Sequence, residues 1–385
     1  MISKLTIILL SLCTYLLLTL SYSKNVTYPM IMNLKTPLII NYFSSKTNSC
    51  MLPINTEIPY SYLISGDYIK YVNQDNEINY DKTIELYGKK YKSKLIQIQI
   101  SLTPSFTIIP NFPIFIINLE RISMNQKGFS LTPNYDNSSF IFQLKLNDKI
   151  DKLQFTIDNY YKSIHFGEYE IPKFYENPFQ IKINNTINLW GTTLKRISST
   201  LIKNATLTLN KYAYFNTASN NMFNSCEFYF YLVKKILKEE ISTYRCAYYE
   251  NLVSQDVILC NSDVLKKYGN ITFEFEEGII NLPLYMFFEN RGPGVKTPSN
   301  FYCESKVKSV INYLVFGFPF LNLFNFTTFD FENKTIGFYS NDIIAINSNI
   351  INQLKERNII KKLLLQIIIM FLICSITLLY IIKLN

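Results

Sequence analysis

What most constrains this chain is a succession of short apolar or alternating segments, each ended by Asn, Pro, Gly or Ser. Leu95–Leu102 (LIQIQISL), Phe140–Leu146 (FIFQLKL), Phe179–Ile183 (FQIKI) and Ala205–Leu209 (ATLTL) are examples. Successive side chains of a strand point to opposite faces, so such segments predict strands, and the protein is expected to be mainly β. One stretch differs. Asn224 or Ser225 can cap a helix, Glu227 closes its first turn, and Phe228–Ile241 carries Lys234, Lys235, Lys238, Glu239 and Glu240 on a polar side. No repeat of solenoid period and no long linker interrupts the body. With 48% apolar and 17% charged residues over 385 positions, the chain can bury a large core, which excludes a disordered protein.

The chemistry is narrowed by what is scarce. A single His and a single Trp exclude most Ser/His/Asp and Cys/His catalysis and His-rich metal sites. The net charge of +9 would ordinarily suggest nucleic acid, yet Lys, Asn, Ile, Tyr and Phe are abundant together while Gly numbers only 11. The charge therefore follows a broad compositional bias, and no nucleic-acid partner and no cofactor is expected. Part of it also lies at the ends, in Lys4 and in Lys355, Arg357, Lys361, Lys362 and Lys383 against Glu356.

Both ends are apolar. Lys4 precedes the run Leu5–Leu20, and Ser21-Tyr22-Ser23 offers small residues to a signal peptidase, so residues 1–23 are expected to be a cleaved secretory signal. Leu363–Ile382 is a run of twenty residues, broken mainly by Gln366, that is long enough to cross a bilayer core of about 30 Å. Its basic flank, Lys355 to Lys362, runs against the positive-inside tendency if the body is exported. A terminal apolar tail after a polar spacer and the small residues Asn347-Ser348-Asn349 also fits a glycosylphosphatidylinositol signal, so both a span and a lipid anchor stand. Sequons at Asn25, Asn137, Asn184, Asn204, Asn270, Asn325 and Asn333 agree with export.

Cys13 falls in the expected signal and Cys374 in the tail, leaving Cys50, Cys226, Cys246, Cys260 and Cys303 in an oxidising compartment. None forms a Cys-x-x-Cys unit, so disulfides are expected and a metal site is not. Five cannot all pair within one chain, and the thiol left over among Cys50, Cys226 and Cys246 is a candidate for a disulfide-linked dimer.

Near the end of the body stands Val315–Tyr339, VFGFPFLNLFNFTTFDFENKTIGFY. It resembles the closing signature of pepsin-like aspartic proteases: an apolar pair (Val315-Phe316), a glycine (Gly317), a Phe-Leu step (Phe320-Leu321), Phe329-Asp330, and Asn333 to Gly337-Phe338. Phe318 and Asn322 replace that family's Asp and Arg. The resemblance implies two similar β lobes, each contributing one Asp-Thr-Gly to a shared cleft. The matching loci are Asn55-Thr56-Glu57 after Leu52-Pro-Ile, and Asn216-Thr217-Ala218 after Ala213-Tyr-Phe. Thr36-Pro37, Tyr87-Gly88, Ile164–Phe174 and Asn188-Leu-Trp190 resemble, in order, an early Gly-Thr-Pro, the flap tyrosine, the turn ending the first lobe and the strand opening the second. The implied organisation is a lobe over residues 24–174, a second over 175–342, a spacer over 343–362 and the apolar helix or anchor signal over 363–382. Cys260 and Cys303 fit the second-lobe disulfide of the family, and Cys226 with Cys246 is the other candidate pair.

Aspartic proteolysis needs two carboxylates close enough to share a proton, one taking it from water and the other donating to the peptide carbonyl. Asn55 and Asn216 can do neither, because an amide does not titrate at working pH. Thr56 and Thr217, whose hydroxyls brace the two loops in the family, remain. Glu57 stands where the family has a glycine; a solvated side chain on a relaxed loop is the expected placement, and a substitute base the alternative. Asn55 follows Ser23 too closely for an inhibitory prosegment, and Lys89, Lys90, Lys92 and Lys94 surround the expected flap, where a solvated edge that blocks strand pairing is expected. The reading is an anchored pseudo-protease that keeps a peptide-binding cleft lined by Thr56, Glu57, Tyr87, Thr217 and Ala218. The alternatives are an active aspartic-type endopeptidase with a non-standard dyad and a structural surface glycoprotein.

Overall fold

The computed structural model describes residues 24–347 except for 34–35, 44–48, 65–80, 87–88, 104–105, 118–127, 134–137, 176–177, 184–187, 203–204, 220–221, 253–254, 293–294, 299–313 and 341–343. The expected signal, most of the expected spacer, the apolar run 363–382, Tyr87 and Cys303 therefore lie outside the described residues. Among the described residues no helix is long and apolar enough to cross a membrane.

The chain is mainly β, and alternation explains how its largest sheet forms. In Gln154–Asp158, Phe155 and Ile157 belong to the hydrophobic core while Gln154, Thr156 and Asp158 take the other face. The same division recurs in Phe326–Asp330 and Thr335–Tyr339, where Phe329, Ile336 and Phe338 are core residues. These strands lie side by side in the order Phe179–Lys182, Thr335–Tyr339, Phe326–Asp330, Gln154–Asp158, Ser163–Gly167, Asn25–Asn33. Residues far apart in sequence thus join the first half of the chain to the second within one sheet. At the junction the rings of Phe155 and Phe329 stack at 4.5 Å. Trp190 packs edge-on against Phe329 and Phe331, and its indole N–H donates to the Leu131 carbonyl at 2.6 Å.

Each half also contains the same local arrangement. Ser49–Asn55 pairs in parallel with Phe129–Ser130, bringing Asn55 opposite Ser130. Thr206–Asn216 pairs in parallel with Leu314–Gly317, bringing Asn216 opposite Gly317. In each half the later strand of the parallel pair is followed by a helix, Phe140–Leu146 after Phe129–Ser130 and Phe318–Leu321 after Leu314–Gly317.

Three expectations are corrected. Phe140–Leu146 is a helix rather than a strand. Its pattern satisfies both periods, and packing selects the helical one. Phe140, Ile141 and Leu144 turn to a single buried face on which Phe140 meets Tyr28, Phe112, Phe129 and Phe166, leaving Leu146 exposed. Cys246 is bonded to Cys260 (S–S 2.07 Å), not Cys260 to Cys303 or Cys226 to Cys246. The antiparallel hairpin Cys246–Leu252 with Gln255–Asn261 places the two cysteines directly opposite each other, a register that the sequence does not display; Cys246 is thereby removed from the dimer candidates. The spacer expected from 343 begins instead with a strand, Ile344–Asn347, which pairs with Gly278–Asn281. The helix expected after Asn224 is present. Ser225 caps it by accepting from the Phe228 N–H at 3.2 Å, and the run continues as Cys226–Tyr231, a π-helical turn Leu232–Ile236, and Lys238–Ser242.

Because Phe329 stacks on Phe155 and supports Trp190, Phe329→Ala should remove about 3–5 kcal/mol of stability, as large-to-small changes of buried aromatics do. Equilibrium denaturant unfolding measures this, and an unchanged midpoint would contradict the packing role.

Candidate functional site

The two Asn-Thr steps lie at the ends of corresponding strands, and both are buried: Asn55 is 2% exposed, Asn216 5%, and Thr56 and Thr217 0%. Each Asn folds its own loop. The Asn55 Oδ1 accepts from the Glu57 and Ile58 N–H groups at 2.9 and 3.2 Å, and the Asn216 Oδ1 accepts from the Ala218 N–H at 2.8 Å. Short Asx side chains favour such turns because they reach the backbone two residues on. The loops are closed from beneath, with the Leu131 N–H donating to the Asn55 carbonyl and the Phe318 N–H to that of Ser219, each at 2.8 Å.

The threonines tie the halves together. Thr56 Oγ1 donates to the Phe215 carbonyl at 2.8 Å and accepts from the Thr217 N–H at 3.0 Å, while Thr217 Oγ1 donates to the Ile54 carbonyl at 2.7 Å. These bonds are buried, so losing one partner strands a polar group away from water.

Glu57 does not extend into solvent as expected. Its carboxylate reaches the other half, where Oε1 accepts from the Tyr214 hydroxyl at 2.7 Å and Oε2 from the Asn216 amide at 2.5 Å. Burial pushes the Glu57 carboxyl up from the ordinary carboxylate range, and the two donors pull it partly back. The nearby Tyr62 phenol is raised as well, first by burial and then by the charges of Tyr91 and Glu57. Among the described residues the centre thus holds the Glu57 carboxylate bonded to an amide and a phenol.

The sequence reading did not single out Tyr214. The available signal was its position two residues before Asn216, since positions i and i+2 of a strand share a face. Lys82–Leu86 pairs in antiparallel fashion with the start of Lys89–Thr103, Leu86 opposite Lys89, and forms a hairpin; Tyr87 and Gly88 lie outside the described residues. On that hairpin Lys90 and Lys92 are exposed, with Lys90 opposite Glu85. Among the described residues no three His, Cys, Asp or Glu side chains gather where they could hold a metal ion.

No family model matches the sequence, and no curated protein does. Among solved structures the chain is similar to the aspartic proteinase from Irpex lacteus, with 11% sequence identity, a TM-score of 0.60, and coverage of 82% of this chain and 97% of that one. At that identity the likeness is one of fold. The fold is therefore that of a pepsin-like aspartic proteinase, with the two Asn-Thr steps in the loops described above.

Two outcomes follow from this geometry. Thr217→Val keeps the shape but leaves the Ile54 carbonyl without its donor, and should lower the unfolding free energy by about 1–3 kcal/mol in denaturant titrations. For Glu57, the folded state holds a proton more tightly than the unfolded chain. The wild type should therefore lose stability as pH rises from the ordinary carboxylate range through the raised Glu57 pKa, and the Glu57→Gln variant should lack that component. Parallel stability curves for the two proteins across this range would contradict the assignment.

Proposed function

We propose that this chain is a membrane-anchored protein of the secretory pathway or cell surface, with an aspartic-proteinase-like fold that binds an extended peptide or protein segment without cutting it. The observation that carries the reading is the Glu57 carboxylate seated on the Asn216 amide and the Tyr214 hydroxyl. A water molecule is activated for attack by a carboxylate whose neighbour can hold the complementary proton; the hydroxyl and the amide that meet Glu57 are not carboxylates, and Asn55 and Asn216 have no proton to exchange at working pH. The frame that aligns the loops is kept by Thr56 and Thr217. A groove between two β halves can hold an extended chain through main-chain hydrogen bonds with no reaction at its centre.

One observation favours the endopeptidase reading. A buried carboxyl with raised proton affinity is suited to act as a general acid, and Glu57 is such a group. A non-standard dyad would then pair Glu57 with an amide. The structural-glycoprotein reading draws on the sequons. Asn25 and Asn333 are exposed and Asn270 and Asn325 half-buried, while Asn137, Asn184 and Asn204 lie outside the described residues. Anchoring rests on the apolar run 363–382, and export on residues 1–23 and the sequons.

The full chain, made in a eukaryotic secretory host, should retain extended peptides from a random library at neutral and acid pH and return them intact by mass spectrometry. Hydrolysis lost in both Asn55→Ala and Glu57→Gln would instead establish the endopeptidase, and neither binding nor hydrolysis would leave the structural glycoprotein. Surface labelling should find the protein outside the cell. Release by a phosphatidylinositol-specific phospholipase would assign a lipid anchor, and retention in membranes after the same treatment a spanning helix.

A further inference from the structure

The polar face of the sheet that joins the two halves, on the side away from the core, carries a groove of about 490 Å³. Its walls include the rings of Tyr169, Tyr175 and Tyr339, and strand side chains such as Gln154, Thr328 and Asp330 offer polar groups between them. Tyr169 and Tyr175 are both held against Phe326, at 6.1 and 5.2 Å between ring centres. Tyr169 is fixed further by stacking on His165 at 3.8 Å and by donating to the Asp158 carboxylate at 2.9 Å. The wall is therefore preorganised. Rings that contact the C–H faces of a pyranose, beside amide, hydroxyl and carboxylate groups for its hydroxyls, are the combination that suits a neutral sugar.

A sugar source stands at the rim. Asn333 begins the sequon Asn333-Lys-Thr335 in the tight turn between Phe326–Asp330 and Thr335–Tyr339, and it is exposed. Asp330 and Thr335, opposite each other across that turn, both line the groove. Asp330 accepts from the Glu332 and Asn333 N–H groups at 2.9 and 2.8 Å, and its second oxygen accepts from the Asn333 Nδ2 at 2.8 Å. The nitrogen that would carry a glycan is thus held beside a groove-lining carboxylate.

We infer that this groove seats the first sugars of an N-linked glycan on Asn333, so that the glycan packs on the sheet that unites the two halves. The inference rests on the secretory reading above. In the modification, Asn333 Nδ2 bonds to C1 of the sugar and gives up a proton, and the lipid-linked diphosphate carrier leaves as donor by-product. The seated sugars would shield the outer surface of the joining strands and exclude water from Thr328 and Asp330.

The test uses the full chain from a eukaryotic secretory host. Glycopeptide mass spectrometry reads occupancy at each sequon, and an amidase that cleaves the Asn–sugar bond is applied to the native protein. Asn333 should be occupied, and its glycan released about tenfold more slowly than glycans at the other occupied sequons, a ratio equivalent to about 1.4 kcal/mol of protection. Unfolding the protein should abolish the difference, and Tyr175→Ala or Gln154→Ala should each reduce it in the native state. A bare Asn333 beside occupied sequons, or a glycan released as fast as the rest, overturns the inference alone. Sequons that are all bare overturn it together with the secretory reading.

Discussion

The rest of the structure depends on the pair of buried threonines that cross between the halves of the chain. Thr56 holds Phe215 and Thr217, and Thr217 holds Ile54, so each hydroxyl satisfies main-chain groups of the opposite loop. A hydroxyl can serve two partners at once because it donates one hydrogen and still has lone pairs to accept with. The bonds fix the ends of two strands side by side at a depth where water cannot substitute. Once they are made, the side chains on either side of each threonine are brought to the same small region: Asn55 and Glu57 from one half, Tyr214, Asn216 and Ala218 from the other.

What occupies that region determines what it can do. A glycine after the threonine would leave space next to the centre; Glu57 fills it and sends a carboxylate across the boundary. The charge is tolerated because two donors meet it, and it remains costly enough that burial raises its proton affinity. Glu57 is therefore a further link between the halves, alongside the threonines, the shared sheet and the Trp190–Leu131 bond, and its strength depends on protonation as theirs does not. The side chain that follows Thr56 thus adds a cross-connection of its own to the frame that the two threonines hold.

The shared sheet has two unlike faces. Its inner face is aromatic and aliphatic, with Phe155, Phe329 and Phe338 packed towards the core. Its outer face is polar and tyrosine-bearing, and includes the chain's single histidine, which contacts Thr27, Ser163 and Tyr169. A polar outer face on strands that connect two halves is ordinary alternation. The segment bearing Tyr169 and Tyr175 folds over it and turns a flat surface into a groove.

Much of this was legible in the residues. Strand alternation identified the mainly β class, and Ser225 with Glu227 marked the start of a helix, because these are local properties of neighbouring positions. The order of the motifs located Asn55, Thr56, Asn216 and Thr217, and that two of these side chains are amides is a matter of identity alone. What only the tertiary structure decided were relations between distant positions. Phe140–Leu146 reads as a strand or a helix until the aromatic cluster around Phe140 chooses one period. Cys246 and Cys260 become partners through hairpin register, and Glu57 becomes a bridge because Tyr214 and Asn216 arrive opposite it. Local pattern constrains which face a residue takes, whereas the identity of the group across from it depends on how remote segments pack, and that is where the chemistry of this centre is set.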